Sequence, residues 1–295
     1  MARLRDTGRP LPGHVWLLDM HRRTFAGEGG GFLGQRYDPF RILQDPNRPD
    51  FRVQALTPPR EVPLDRLGGR RGLLEQVQRQ SDGVLGRHTM EAHYERAFNM
   101  ILAPATRTAF DLNAEPDRVR ERYGRHKFGQ GVLLARRLVE QGVPLVTVYW
   151  NGEEVPGGWD LHYRNRERLP PLAAPLDRAF SALLDDLSAR GLLDETLVVW
   201  MGEFGRAPLI EREGGRGHWG RCYSVVLAGA GVNAGMVHGR SDRRAAYPVE
   251  GAVTPQDVVT TIYHCLGIAA DAELTDALGR PYRLCQGDVI HNVLA

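Results

Sequence analysis

The stretch VVWMGEFGRAPLIEREGGRGHWGRCYSVVLAGAG, residues 198–231, contains two apolar runs joined by a polar, glycine-rich link. The link carries a carboxylate at Glu203, a guanidinium at Arg206 and an imidazole at His218 next to Trp219. Short apolar runs bounded by turn residues are typical of buried strands. A buried strand that ends directly in such side chains predicts a functional site at its carboxyl end.

The C-terminal half alternates strands with helices. Strands are predicted at residues 143–150, 195–202 and 222–229, and helices at residues 166–190 and 254–268. Thr254 as N-cap and Pro255 at the first helical position mark the start of the last helix. Near-continuous apolar strands alternating with amphipathic helices predict an α/β fold, in which a mainly parallel sheet is sandwiched by helices.

The N-terminal half has a different character. Residues 1–62 are rich in Gly, Pro, Arg and Asp and contain one strand candidate at 14–18, which indicates a loop-rich section. Residues 63–142 have apolar residues three and four apart, which predicts helices. We expect a single domain over residues 1–295, with the functional site in the α/β section at 143–295.

Composition excludes several classes of protein. The 38 basic and 36 acidic residues give a formal net charge of +2, so no nucleic-acid partner is expected. No apolar run approaches the ~18 residues of a membrane span, and the N-terminus does not resemble a signal peptide. A cytoplasmic location is therefore expected for the chain as written. Cys222, Cys265 and Cys285 are far apart and lack a C-x-x-C pattern, so no disulfide framework or cysteine zinc site is indicated, although two of them could still pair. Cys222 and Cys265 are interpreted as small buried thiols.

Four candidate metal ligands follow the predicted strands. Asp160 and His162 come after the strand at 143–150, and Glu203 and His218 come after the next strand. Carboxylates and imidazoles are ligands that divalent ions such as Zn²⁺ and Mn²⁺ accept. In an extended segment the D-x-H pair would point to one side, because side chains alternate. The set predicts a metal or anion site.

Each candidate also has an interpretation in which it binds no metal or anion. Asp160 could cap the following helix, and His162 could be a first-turn residue without a chemical role. Glu203 could pair with Arg206, because a buried carboxylate needs a partner. His218 could simply pack against Trp219. The occurrence of all four candidates at two strand ends favours the metal or anion site.

Other motifs carry weaker signals. The run GEGGGFLG at 27–34 lacks the Lys-Ser/Thr of a phosphate-binding loop and is interpreted as a turn. Asp19 and His21 form a second D-x-H pair, which we interpret as surface residues in preference to ligands. No G-x-S-x-G elbow is present, so a serine hydrolase is disfavoured.

A series of blocks along the chain resembles a large bacterial family known as domain of unknown function 1501, with many members in planctomycetes. The blocks are GFLGQRYDPF, GGWDLH, LLDETLVVWMGEFGR, GGRGHWGRCYSVVLAGAGV, GMVHGRSD and VTPQDVVTTIYHCLGI. The resemblance covers nearly the whole chain, and the ordered series makes it specific. It places the chain in the alkaline phosphatase and sulfatase-like superfamily, which implies a parallel-sheet α/β sandwich with metal ligands at strand ends.

The resemblance also implies an activity, namely hydrolysis of phosphate or sulfate esters with a divalent metal such as Zn, Mn or Ca. Asp160 and His162 resemble the Asp and His pair of the superfamily, Glu203 stands where a strand-end Asp is found, and His218 resembles the last His. The substrate would be a small anionic ester, and Arg206 would neutralise one of its non-bridging oxygens.

The chain departs from the family pattern at several places. Phe204 stands where many superfamily enzymes have a His, and Gly217 replaces the Asp of an R-D-H-W block. The preceding segment, which would supply a nucleophile, the first strand and an export signal, is missing, so an N-terminally shortened form is expected. If such a segment exists upstream, a periplasmic or exported location is expected. The alternative function is a non-catalytic binding or assembly protein that retains the fold and has a protein partner.

Overall fold

The computed structural model describes residues 10–18, 29–59, 61–80, 87–152 and 155–295. It is a mixed α/β protein whose chain divides into two compact units, residues 1–150 and residues 151–295. The single domain expected from the sequence stays a prediction. No helix in the described ranges has the length and apolar character needed to cross a membrane.

The first unit contains a small parallel sheet. Its strands are β1 (Val15–Leu17), β2 (Phe40–Ile42) and β3 (Val146–Val148), in the order β2-β1-β3. Both neighbours of β1 run parallel to it. The strands predicted at 14–18 and 143–150 are confirmed by β1 and β3, whereas β2 lies in the section that the sequence indicated to be loops.

Five helices of the first unit lie in the described part of residues 63–142, where helices were predicted. They are α1 (Leu64–Gln80), α2 (Arg87–Leu102), α3 (Pro104–Phe110), α4 (Asp117–Tyr123) and α5 (Lys127–Glu140). Helix α5 packs against β3, and its residues Leu133, Leu134 and Leu138 are fully buried. Burial of these side chains beside the apolar strands forms the core of this unit.

The second unit contains two helices, α6 (Asn165–Ala189) and α7 (Pro255–Cys265). Thr254 caps α7 through a reciprocal pair of hydrogen bonds with Asp257, and Pro255 occupies the first turn. The predicted start of this helix is therefore confirmed. The helix begins here because the cap satisfies backbone N–H groups that have no partner inside the helix. The helix predicted at 166–190 is confirmed by α6.

The strands of the second unit are β4 (Leu197–Trp200), β5 (Gly205–Arg206), β6 (His218–Trp219), β7 (Val226–Gly229), β8 (Arg240–Ser241), β9 (Pro248–Glu250), β10 (Glu273–Thr275) and β11 (Pro281–Arg283). They form four two-stranded sheets, namely β4 with β7, β5 with β6, β8 with β9 and β10 with β11. All four pairs are antiparallel.

A mainly parallel sheet was predicted for this section, but the strands predicted at 195–202 and 222–229 form β4 and β7, which pair antiparallel. A parallel pair needs a crossover connection, usually a helix, that returns the chain to the same end of the sheet. The connection at residues 201–225 contains only the short β5–β6 hairpin. The chain therefore reverses between β4 and β7, and the apolar character of the two runs did not reveal their direction.

Candidate metal centre

A tight series of turns presents Asp160 and His162. The backbone N–H of Leu161 donates to the carbonyl of Trp159 at 2.9 Å, and that of His162 donates to the carbonyl of Asp160 at 3.0 Å. Hydrogen bonds between residues two apart are the mark of γ-turns. Leu161 is 3% exposed, whereas Asp160 before it is exposed and His162 after it is half-exposed. The two side chains therefore converge in a turn that buries the residue between them, and not in the extended segment that we expected.

The β5–β6 hairpin presents Arg206 and His218. These two residues face each other in the antiparallel register of the hairpin, and Gly205 pairs with Trp219. The Trp219 side chain donates to the carbonyl of Ala246 at 2.6 Å. The His218 ring instead has the His162 and Phe204 rings as neighbours. Packing against Trp219, the alternative interpretation of His218, is therefore not its role here.

The hairpin docks directly on the turn that carries Asp160 and His162. Arg216 N–H donates to the carbonyl of Leu161 at 3.0 Å, and Tyr163 forms an antiparallel bridge with Gly214. A Cβ on Gly215 would lie 1.9 Å from the carbonyl carbon and oxygen of His162. Only glycine permits this approach, because no side chain fits at that distance. Local backbone contacts thus bring together two segments about 50 residues apart.

Three ligand-type atoms meet where these segments join. Asp160 Oδ1 lies 3.0 Å from His162 Nε2 and 3.0 Å from His218 Nε2. The two Nε2 atoms are 3.1 Å apart. The side chains of Asp160, His162 and His218 are 56%, 42% and 51% exposed. They form a near-equilateral triangle at the surface, which we call the Asp160 cluster.

The dimensions of this triangle suit a divalent cation. An ion about 2.1 Å from all three atoms would lie about 1.2 Å above their plane, with about 92° between its bonds. That angle lies between the about 90° of octahedral and the about 109° of tetrahedral coordination, and it leaves the outer side open. Each Nε2 can donate or accept only one hydrogen bond, so hydrogen bonds alone satisfy the triangle poorly. A cation would satisfy all three atoms together.

Arg206 anchors the carboxylate of the cluster. Its two terminal nitrogens lie 3.0 and 3.1 Å from Asp160 Oδ1. They also donate to the carbonyls of Trp159 at 3.0 Å and Arg216 at 3.3 Å. The hydrogen bond from His218 and the Arg206 guanidinium lower the pKa of Asp160 below its usual value. Asp160 is therefore ionised over the neutral range and available as a ligand.

Two further side chains flank the cluster. The Phe204 ring lies 4.4 Å from the His218 ring, centroid to centroid. Glu211 Oε2 lies 3.9 Å from His162 Nδ1, the ring nitrogen that faces away from the triangle. The sequence marks Phe204 only as a departure from a family pattern, and it does not single out Glu211. The sequence signal for Glu211 is weak, because the residue is one of several charged positions in an exposed hairpin.

The remaining predicted ligand lies outside the triangle. Glu203 is exposed and follows β4, but among the described residues the group of ligand atoms within 4.8 Å of one another contains only the three members of the Asp160 cluster. The alternative interpretation paired Glu203 with Arg206, but in the structure Arg206 pairs with Asp160. Asp160 is not the helix cap either, because Arg164 occupies that position of α6. Asp19 and His21 lie outside the described residues.

A concave cleft lies elsewhere in the second unit. It has a volume of about 360 Å³ and is lined by residues that include His238, Asp257, Asp288 and His291. It shares no residue with the Asp160 cluster. The donor atoms of the Asp160 cluster converge on one point, whereas the volume of the cleft alone indicates no chemistry.

Comparison with known proteins gives one result. No curated protein and no solved structure matches this chain. A family model described as "Protein of unknown function (DUF1501)" matches residues 2–294, nearly the whole length. The resemblance to this family is therefore confirmed, and the chain belongs to the DUF1501 family.

Proposed function

We propose that this protein is a metal-dependent hydrolase of phosphate or sulfate esters, with the Asp160 cluster as its metal centre. The observation that carries the proposal is the convergence of one carboxylate oxygen and two imidazole nitrogens, with 3.0 to 3.1 Å between them, on an open surface. The resemblance to the alkaline phosphatase and sulfatase-like superfamily supports esters as the substrate class.

The donor set favours particular ions. Two imidazoles and one carboxylate suit Zn²⁺, and Mn²⁺ is also accepted. Ca²⁺ takes six to eight oxygen ligands and would find one here, so this set disfavours calcium. Glu203 is not needed as a ligand, since three protein ligands and open positions are the arrangement of catalytic sites.

The residues have distinct roles in this proposal. Asp160, His162 and His218 hold the ion, while Arg206 holds Asp160 and adds positive charge next to the open side, which favours an anionic ester. When bound at these three residues, the ion would supply Lewis-acid polarisation of an ester oxygen and would make water a stronger nucleophile. The catalytic role of Arg206 would be to stabilise negative charge that develops on the ester oxygens.

Metal binding is the first test. Purified protein is saturated with Zn²⁺ or Mn²⁺, dialysed and analysed for metal by plasma emission, and binding is then measured by calorimetry. We expect close to one equivalent in the wild type and at least about a 100-fold weaker affinity in Asp160→Asn and His218→Ala. His238→Ala, which removes an imidazole from the separate cleft, is the matched control and should bind like the wild type. Less than a tenth of an equivalent in the wild type would reject the metal centre.

Turnover is the second test. Aryl phosphate monoesters, phosphate diesters and aryl sulfates are incubated with the metal-loaded wild type and with Asp160→Asn. We expect hydrolysis of at least one class by the wild type and none above background by the variant. Stoichiometric metal binding without turnover of any of the three classes would contradict the hydrolase and favour the alternative, a non-catalytic binding protein.

A further inference from the structure

Metal binding would fix the proton position on His162. If Nε2 of a neutral imidazole offers its lone pair to an ion, the ring proton must lie on Nδ1. That N–H then needs an acceptor, because ligand histidines generally donate their second ring N–H to a carboxylate, a carbonyl or water. The ring nitrogen Nδ1 of His162 faces Glu211, whose Oε2 is 3.9 Å away.

Glu211 is held near this position by the shape of the hairpin. Its backbone N–H donates to the carbonyl of Gly215 at 2.9 Å, and Gly214 N–H donates back to the carbonyl of Glu211 at 2.9 Å. A Cβ on Gly217 would lie 2.5 Å from Glu211 Oε1. The carboxylate therefore occupies space that is free only because residue 217 has no side chain. Gly217 directly precedes the strand that carries His218.

The two histidines of the cluster are supported differently. The His218 ring is flanked by Phe204 at 4.4 Å, which restricts it by packing. The His162 ring has Glu211 at Nδ1, which can restrict it by a hydrogen bond. A separation of 3.9 Å is closed by a small side-chain rotation or by one bridging water.

We propose that Glu211 is a positioning residue of the metal centre. It accepts the Nδ1–H of His162, directly or through one water, and so orients Nε2 toward the ion. Such outer partners typically change metal affinity by 10- to 100-fold when they are removed. The inference rests on the proposed metal centre, and it adds a residue that touches neither the ion nor the substrate.

The test measures Co²⁺ binding by calorimetry and by the visible spectrum, with no use of activity. In Glu211→Ala we expect affinity about 10- to 100-fold below the wild type and altered absorption bands, because the His162 ring is no longer fixed. Glu211→Gln retains an acceptor oxygen without the charge, and should recover part of the affinity. Gly217→Ala should lower affinity in the same direction, since its methyl group displaces the carboxylate. Glu213→Gln, an exposed glutamate of the same hairpin, is the matched control.

A double-mutant comparison separates positioning from a structural effect. In a His162→Ala background, Glu211→Ala should cause less than about a twofold further loss, because its target is gone. Far-UV circular dichroism and thermal unfolding confirm that each variant is folded. Wild-type affinity in Glu211→Ala, or an equal loss with and without His162, would overturn the inference. Failure of the wild type to bind any ion would instead overturn the proposed metal centre itself.

Discussion

Two clusters of charged side chains have opposite designs. In the first unit, Glu115 lies between Arg136 and Arg137 with side-chain exposures of 6%, 0% and 9%. Arg136 Nη2 is 2.8 Å from one Glu115 oxygen, and Arg137 donates to the other and to the carbonyls of Ala109 and Thr108. In the second unit, the Asp160 cluster is half exposed and presents its donor atoms to one open side.

The difference teaches how to separate structural from functional charge. Each charge of the Glu115 cluster has an opposite charge within the fold, and Arg137 also donates to two backbone carbonyls. In the Asp160 cluster two imidazoles lie next to one carboxylate oxygen, and a neutral imidazole has a lone pair that can bind a cation. Loss of a member should therefore cost stability in the first cluster and ligand affinity in the second.

The largest expected effect is a loss of stability when the Glu115 cluster is disrupted. Glu115→Ala leaves two buried guanidiniums without their shared carboxylate, so the free energy of unfolding should fall by about 3–5 kcal/mol. Asp160→Asn should change it by less than about 1 kcal/mol, because the Asp160 side chain is 56% exposed and solvent screens its interactions. Urea unfolding of both variants measures this, with the exposed Glu95→Ala as control. A larger loss in Asp160→Asn than in Glu115→Ala would reverse the comparison.

The next largest effect is expected when the β5–β6 hairpin, which carries His218, is moved away from the turn that carries Asp160 and His162. In Gly215→Ala the new methyl group would lie 1.9 Å from the His162 carbonyl, so the hairpin must move away. We expect the free energy of unfolding to fall by about 2–3 kcal/mol and metal affinity to fall as well. Gly220→Ala, where a Cβ meets nothing within 4 Å, is the control. Unchanged stability and affinity in Gly215→Ala would show that the hairpin is not held by this contact.

A smaller effect concerns the pH dependence of stability, which tests the half-buried His14 in the first unit. Burial lowers the pKa of His14 from 6.5 to about 4, and its Nε2 accepts a hydrogen bond from Trp16 at 2.6 Å. Because the unfolded chain binds the proton more readily, His14 contributes stability above pH 6.5 that is lost as pH falls toward 4. We expect a loss of about 1–2 kcal/mol, since the ring is only half-buried. His14→Gln should show a shallower pH dependence of unfolding, and an identical slope would contradict the assignment.

The smallest expected effect is on metal affinity, and it tests the role of Arg206. Lysine retains the charge but cannot reach Asp160 and the carbonyls of Trp159 and Arg216 together. Arg206→Lys should therefore lower metal affinity by only about five- to tenfold, near 1 kcal/mol, with Asp160 less firmly held. The exposed Arg212→Lys is the matched control in calorimetry. A loss as large as that of Asp160→Asn would mean that Arg206 does more than position the carboxylate.

Much of the local structure could be predicted from the sequence. Helix α7 was marked by Thr254 and Pro255, and the strands β1 and β3 by their apolar runs, because caps and burial act over a few residues. The antiparallel pairing of β4 and β7 could not be predicted from apolarity, which is the same for either direction. It depended on the absence of a helix in the connection.

The sequence by itself determined the family, the ligand-type residues and the positions of most helices, since these follow from residue type and local spacing. Only the tertiary structure decided which candidates meet. It brought His218 to Asp160 and His162, left Glu203 outside the triangle, and placed Glu211 behind His162. The physical reason is the docking of the hairpin through Gly215, a backbone contact between distant segments that no local pattern encodes.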